Sequence, residues 1–202
     1  MKLASKVNSV RISGIGGQGN VMMGIVLANA LVEEGYYVVQ TQSYGAQVRG
    51  GLSFSDVIFS REEIDYPKSE NFDIIYAMHQ IAVSSHYDLL KKNAILIIDK
   101  SFVKKVPKEV TRATRKIISE EITNITKEKL FSTLPANMVG LGIIAKVSNI
   151  LSLESVKKSM KKYMKEKFHR INEEAIELGY KMVNRSYYLK NDVREYISRG
   201  FE

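Results

Sequence analysis

Residues 13–19 read SGIGGQG, and the apolar segment VMMGIVLANALV follows directly at 21–32. Before the glycines, residues 7–13 place Val10 and Ile12 on one face of a short strand. After them, Val21, Met22, Ile25, Val26, Ala28 and Val32 recur at helical spacing. The helix is apolar nearly all round, which predicts burial, and Gly35 predicts its stop. The reading is strand, glycine loop, helix. Glycine permits the tight turn and lets backbone N–H groups face an anion. The helix N-terminus adds a favourable partial positive charge.

Gly14, Gly16 and Gly19 fit G-x-G-x-x-G, whose usual ligand is a dinucleotide. Such a site needs an acid at the end of the second strand to hold the ribose hydroxyls. Here that strand ends QTQS at 40–43, and Glu33 and Glu34 precede it. A phosphate of some other ligand is therefore better supported than NAD or FAD. The alternative use of these glycines is close packing of helix on strand.

A second glycine loop, SYGAQVRGG, occupies residues 43–51. Gly45, Gly50 and Gly51 bracket Gln47 and Arg49. Arg49 puts a fixed charge beside flexible backbone, suited to a phosphate, a carboxylate or a partner's acid, unless it pairs internally. Ser43 and Tyr44 add hydroxyls, and Tyr44 a flat face. Two such loops at one sheet edge point to a shared site.

Further strands are expected over 36–42, 52–59, 72–77, 94–98 and 114–118, with a helix ending across 86–91. Helices are expected over 137–149, 153–165 and 171–183. Strands alternating with helices predict a three-layer α/β/α sandwich with a largely parallel sheet and C-terminal helices. The expected division is one domain over 1–183 and a tail over 184–202. Ligands of such folds bind at the carboxyl ends of the strands, where both glycine loops fall.

Cysteine is absent from the 202 residues, which excludes a Cys nucleophile, a thiolate metal site and a Cys-held iron–sulfur cluster in this chain. The net charge is +8, and residues 91–116 hold nine Lys/Arg against two acids. Such a segment suits nucleic acid, phosphate-bearing cofactors or an acidic partner, or is simply a solvated surface. No aromatic residues interleave it in the manner of a nucleic-acid site, so nucleic acid is not the expected partner. No apolar run of about 18 residues and no leader pattern is present, so no membrane span and a cytoplasmic location are expected. His79, His86 and His169 do not fall at metal-ligand spacing. Asp99 ends a strand without an evident catalytic partner. No catalytic residue and no metal site is assigned, and the reading is a binding subunit rather than a complete catalyst.

Taken together, GIGGQG, LANALVEEGY at 27–36, SYGAQVRGG, FDIIYAMHQ at 72–80, ILIIDKS at 95–101, NMVGLG at 137–142 and INEEAIELGY at 171–180 resemble the gamma subunit of 2-oxoacid:ferredoxin oxidoreductases. The resemblance implies a non-catalytic subunit of an enzyme that oxidatively decarboxylates a 2-oxoacid to an acyl-CoA and passes electrons to ferredoxin. It implies that thiamine diphosphate, Mg2+ and iron–sulfur clusters sit on alpha, beta and in some cases ferredoxin-like delta partners. It also implies that Gly14, Gly16, Gly17, Gln18 and Gly19 approach the phosphates of coenzyme A. The form SYG-x-x-x-RGG resembles 2-oxoglutarate enzymes most, although pyruvate, branched-chain and indolepyruvate enzymes carry similar domains. Many gamma subunits have Pro-Glu where Ala46-Gln47 stands, which removes a negative charge from any subunit contact there. Asn137 either orients a nearby loop or only caps Met138. The rival expectations are a free-standing dinucleotide-binding oxidoreductase and a basic nucleic-acid-binding protein.

Overall fold

The computed structural model describes residues 7–44 and 51–189. In chain order the elements are β1 (Asn8–Ile15), α1 (Asn20–Glu33), β2 (Tyr37–Tyr44), β3 (Leu52–Ser60), β4 (Phe72–Ala77), α2 (Gln80–His86), β5 (Leu90–Asp99), α3 (Val110–Ala113), β6 (Lys116–Glu120), α4 (Ile122–Leu130), α5 (Ala136–Ser148), α6 (Leu153–Tyr163) and α7 (His169–Met182). The strands form one sheet in the order β2-β3-β1-β4-β5-β6. β1, β4, β5 and β6 pair in parallel, whereas β3 is antiparallel to both β1 and β2. The expected α/β sandwich forms, with β3 as the one reversed strand.

Strand alternation splits the core in two. Val10, Ile12, Ile74, Tyr76, Ile95 and Ile97 point to the face covered by α1 and α4 to α7. Ile75, Ala77, Leu96 and Ile98 point to the other, covered by α2, α3 and the residues around Val103. α1 is buried along most of its length, as its all-round apolar sequence predicts. The expected helix end across 86–91 is corrected. α2 stops at His86, a 3₁₀ turn spans Tyr87–Leu89, and β5 begins at Leu90. The polar start of β5 hides it from a pattern reading, and Lys91 is held there by Asp73 at 2.6 Å. α3 and α4 also lie outside the expected elements, being short or largely polar. Residues just past 183 still pack on the domain. Leu189 is buried in the first core, and the Tyr187 N–H donates to the Val147 carbonyl at 2.7 Å.

The face of β1 turned toward α2 carries charge. The β1–β3 register sets Arg11 directly opposite Asp56. Arg11 Nε and a terminal guanidinium nitrogen each donate to an Asp56 oxygen at 2.7 Å, so the pair is bidentate and buried. The guanidinium also lies 4.1 Å from the ring centre of Phe54 and 4.3 Å from that of Phe72. His86, in edge contact with Phe54, is buried in the same cluster. Burial, then the Arg11 charge, holds its pKa down to about 4, opposed weakly by Asp88.

That shift makes stability depend on pH in a stated direction. The unfolded imidazole takes a proton near its ordinary pKa of about 6.5, while the folded one refuses it until about 4. The stability is full above the higher value and is lost as pH falls between the two. The total is up to about 3 kcal/mol from the linkage relation. Urea midpoints at pH 7.5 and 4.5 check it. Wild type is expected to lose more than His86→Met across that interval, and equal losses would remove His86 as the cause.

Candidate functional site

The glycine loop emerges from the carboxyl end of β1. Gly17 has φ 101° and Gly19 has φ 77°, so both sit in the left-handed region that glycine adopts freely. Gly19 is the N-cap of α1 and supplies no side-chain acceptor to its first turn. Gly17 is exposed, and a Cβ there would meet nothing within 4 Å. Among the described residues, no protein acceptor takes the N–H groups of Gly17, Gly19 or Asn20. Donors without a protein acceptor at the start of a 14-residue helix are a geometry that suits an anion.

Gln18 has a different part from the one its motif suggests. Its side-chain oxygen accepts the Ile15 N–H at 2.8 Å, and its amide nitrogen donates to the Met78 carbonyl at 3.2 Å. Its amide is spent holding the loop to the end of β4. A Cβ on Gly14 would fall 2.4 Å from that Gln18 oxygen, so the Gly14 hydrogen makes room for the clip.

The two glycine loops do meet. The Gly16 N–H donates to the Gly51 carbonyl at 3.0 Å. Asn20, which no motif flags, adds a second tie, donating to the Ser53 carbonyl at 2.6 Å from a buried position. Ser43 stands half-buried on β2 opposite Phe54, and the Tyr44 backbone pairs with Ser53. Gly45, Ala46, Gln47, Arg49 and Gly50 lie outside the described residues.

Asn137 orients the loop and does not cap its helix, being the second residue of α5, whose N-cap is Pro135 with no side-chain cap bond. Its amide nitrogen reaches the Gly19 carbonyl at 3.5 Å, and its oxygen accepts the Met138 N–H at 2.9 Å. A Cβ on Gly19 would fall 2.4 Å from that amide nitrogen. Gly19→Ala therefore combines left-handed strain, about 1–2 kcal/mol, with displacement of Asn137. We expect a loss of roughly that size in the urea midpoint. Adding Asn137→Ala relieves the contact but not the φ, so the double variant is expected to recover only part of the loss.

The sheet order makes this edge a crevice. β1 leads to α1 on one face, while its parallel neighbour β4 leads to α2 on the opposite face. Ligands of open α/β sheets enter where neighbouring strands turn to opposite faces in this way. The same order removes the dinucleotide reading. That fold sets its second strand beside the first, so that an acid there reaches the ribose. Here β3 stands between β1 and β2. An acid at the end of β2 would be a strand too far away.

The other candidate groups are used structurally. Buried Asp99 accepts from the Ser101 N–H at 3.0 Å and from the Thr123 hydroxyl at 2.5 Å, closing the turn after β5 onto α4. The three histidines lie apart: His79 caps α2, His86 packs on Phe54, and His169 contacts the Met164 carbonyl at 2.8 Å. Beside the first turn of α1 runs an apolar cleft of ≈ 370 Å³ lined by Met22, Leu134, Pro135, Asn137 and Phe168. Leu134 in its wall is 85% exposed, and Phe131, three residues earlier in the chain, is 93% exposed.

Comparison with known proteins gives the family. A family model described as pyruvate ferredoxin/flavodoxin oxidoreductase matches residues 9–182. The chain is 37% identical over 155 residues to 2-oxoglutarate synthase subunit KorC of Methanothermobacter marburgensis, covering 75% of this chain and 83% of that one. Among solved structures, the gamma subunit of a keto/oxoacid ferredoxin oxidoreductase from Geobacter sulfurreducens superposes with a TM-score of 0.77 at 30% identity, over 87% of this chain and 95% of the other. The 2-oxoglutarate:ferredoxin oxidoreductase of Magnetococcus marinus, solved with 2-oxoglutarate, coenzyme A and succinyl-CoA, shares the fold. Its TM-score is 0.75 at 22% identity, over 92% of this chain and 34% of that one.

Proposed function

Because this chain belongs to the pyruvate ferredoxin/flavodoxin oxidoreductase family, we propose that it is the gamma subunit of a 2-oxoacid:ferredoxin oxidoreductase, with 2-oxoglutarate as the favoured oxoacid. The assembly oxidatively decarboxylates the oxoacid and transfers the acyl group to coenzyme A. The likeness to KorC supports the choice of oxoacid. Thiamine diphosphate with Mg2+ and the iron–sulfur clusters belong to alpha and beta partners, and to a ferredoxin-like delta partner where one is present. Ferredoxin takes the electrons. No helix of the described residues is long and apolar enough to cross a membrane, and the enzyme is assigned to the cytoplasm.

Within that assembly the chain binds and positions. The observation that carries its role is the set of open N–H groups at Gly17, Gly19 and Asn20, beside a Gly16–Gly51 bond that fixes one glycine loop against the other. Those donors fit the phosphates of coenzyme A, each charge-assisted contact being stronger than a neutral one. Coenzyme A, when bound, supplies the thiol that accepts the acyl group. The chain's own residues hold its anionic end, through the backbone of Gly17 and Gly19, with Ser43, Tyr44, Gly45, Arg49, Gly50 and Gly51 on the second loop. The apolar edge at Phe131 and Leu134 suits burial against a partner subunit.

Affinity purification of the tagged full-length chain from its host, under anaerobic conditions, tests this reading. Thiamine-binding and iron–sulfur subunits are expected to co-purify with coenzyme A-dependent 2-oxoglutarate oxidation. Turnover of a different oxoacid would correct the substrate alone. A chain that purifies without partners and without such activity overturns the subunit assignment.

A further inference from the structure

Leu134, Tyr163 and Phe168 are all exposed, and all three line the cleft of ≈ 370 Å³ beside α1. Their exposed surface is therefore contiguous, and contiguous apolar surface marks a place of contact. Phe131, whose neighbour Ser132 also lines the cleft, is almost fully exposed. It is the C-cap of α4 with φ 55°, a left-handed position that glycine ordinarily takes. Neither backbone preference nor burial among the described residues accounts for a phenylalanine there.

The cleft is formed in advance. The Tyr163 hydroxyl donates to the Asn29 side-chain oxygen on α1 at 2.7 Å, which fixes one wall. The Asn172 amide donates to the Phe168 carbonyl at 2.8 Å, which fixes another. Such a cleft takes a side chain with little further ordering of its own. Its charge has one sign. Among the described residues, Lys165 is the one charged group lining it. Two aromatic rings of its wall each have a lysine beside them. Lys162 Nζ lies 5.9 Å from the Tyr163 ring centre, and Lys167 Nζ 5.0 Å from that of Phe168. Across 161–168 four lysines stand against the single acid Glu166. An apolar anchor flanked by carboxylates complements that pattern, and one flanked by lysines is repelled by it.

Its position says which chain supplies the anchor. Met22, in the first turn of α1, and Asn137 both line the cleft, and the Asn137 amide reaches the Gly19 carbonyl at 3.5 Å. The cleft thus adjoins the glycine loop. In the function proposed above, that loop faces the subunit on whose thiamine diphosphate the acyl group forms, so that subunit stands against this edge. We propose that the cleft seats an apolar side chain from an acidic segment of the thiamine-bearing subunit, with Lys162, Lys165 and Lys167 facing its carboxylates. The proposal rests on the gamma-subunit reading and names the contact that holds the chain to its partner.

Photo-crosslinking in the purified complex tests it, with p-benzoylphenylalanine in place of Leu134 or, as control, of Tyr66. Tyr66 is exposed in the segment between β3 and β4, at the opposite end of the sheet. Mass spectrometry is expected to find the Leu134 crosslink on an Asp- and Glu-rich peptide of the thiamine-bearing subunit, and the Tyr66 crosslink elsewhere. Retention gives a second readout. The Phe131→Ser, Leu134→Ser double variant and, separately, Lys165→Glu are each expected to raise by about tenfold the concentration at which the chain leaves the complex on dilution. Lys68→Glu, in the control segment, leaves it unmoved. Phe131 and Leu134 are exposed, so the urea midpoint of the double variant is expected to match wild type. A Leu134 crosslink only to a ferredoxin-like subunit, to a second copy, within this chain or to a peptide without acids overturns the proposal. Unchanged retention in both variants overturns it too, and leaves the gamma-subunit reading standing. A wild-type chain that purifies without partners overturns that reading, and the proposal with it.

Discussion

Gly179→Ala is expected to destabilise the chain by about 3 kcal/mol, against the usual effect of this substitution. In an exposed helix, alanine is better than glycine by about 1 kcal/mol. Gly179 lies where α7 crosses α5, and a Cβ there would fall 1.9 Å from the Val139 carbonyl oxygen and 3.1 Å from the Ile143 nitrogen. Both neighbours are helix backbone and neither can rotate away. Gly142 is placed against α7 in the same manner, its Cβ falling 2.1 Å from the Ile176 carbonyl oxygen. The two helices touch backbone to backbone, and a methyl group pushes them apart along a buried contact. Gly140, two residues before Gly142 and so on the far side of α5, is filled by the Tyr76 ring, 2.4 Å from where a Cβ would stand, so α5 is backed by the sheet. Urea denaturation gives the answer directly. A Gly179→Ala chain as stable as wild type would show that α5 and α7 are not held this closely.

Asp56→Asn is expected to cost about 3–5 kcal/mol, since it leaves the Arg11 charge buried without its counter-charge. The side chains of Arg11 and Asp56 are only 10% and 12% exposed, so water cannot replace the lost carboxylate. The Arg11→Met, Asp56→Leu double variant removes both charges and keeps the space between Phe54 and Phe72 filled. It is expected to recover most of the loss, because the pair's attraction is offset by its desolvation. A double-mutant cycle read by urea midpoints separates the two effects. The same double variant carries a second signature: the Arg11 charge helps to hold the His86 pKa down, so its removal is expected to raise that pKa in an NMR titration. If Asp56→Asn alone leaves the midpoint unmoved, the buried pair does not hold β1 to β3.

Much of the architecture is legible in local pattern. The strand–loop–helix unit at 7–33 follows from apolar spacing and from glycines that only a special turn needs. The buried strands at 72–77 and 94–98 follow from their continuous apolar runs. The motif residues quoted for the resemblance also acquire a physical meaning. Gly140 and Gly142 in NMVGLG, and Gly179 in INEEAIELGY, are the places where α5 meets Tyr76 and α7. What could be read of the site was the loop's capacity for an anion. The part of Gln18 could not be read, since its partner Met78 stands sixty residues away.

The sequence by itself determined the α/β class, the glycine loops, the buried helix behind the first of them and, through the lack of cysteine, the need for any Cys-held redox centre to lie in another chain. Those features depend on periodicity, backbone φ freedom and residue chemistry, which are properties of short stretches. Only the tertiary structure decided that β3 lies between β1 and β2, that Arg11 faces Asp56, that Gly16 bonds to Gly51, and that Gln80 clips the backbone of Lys104 and Lys105. Each of those is a choice among long-range neighbours. Such choices are settled by which apolar faces can be buried together and which polar groups can then be paired, and no window of local sequence contains both partners.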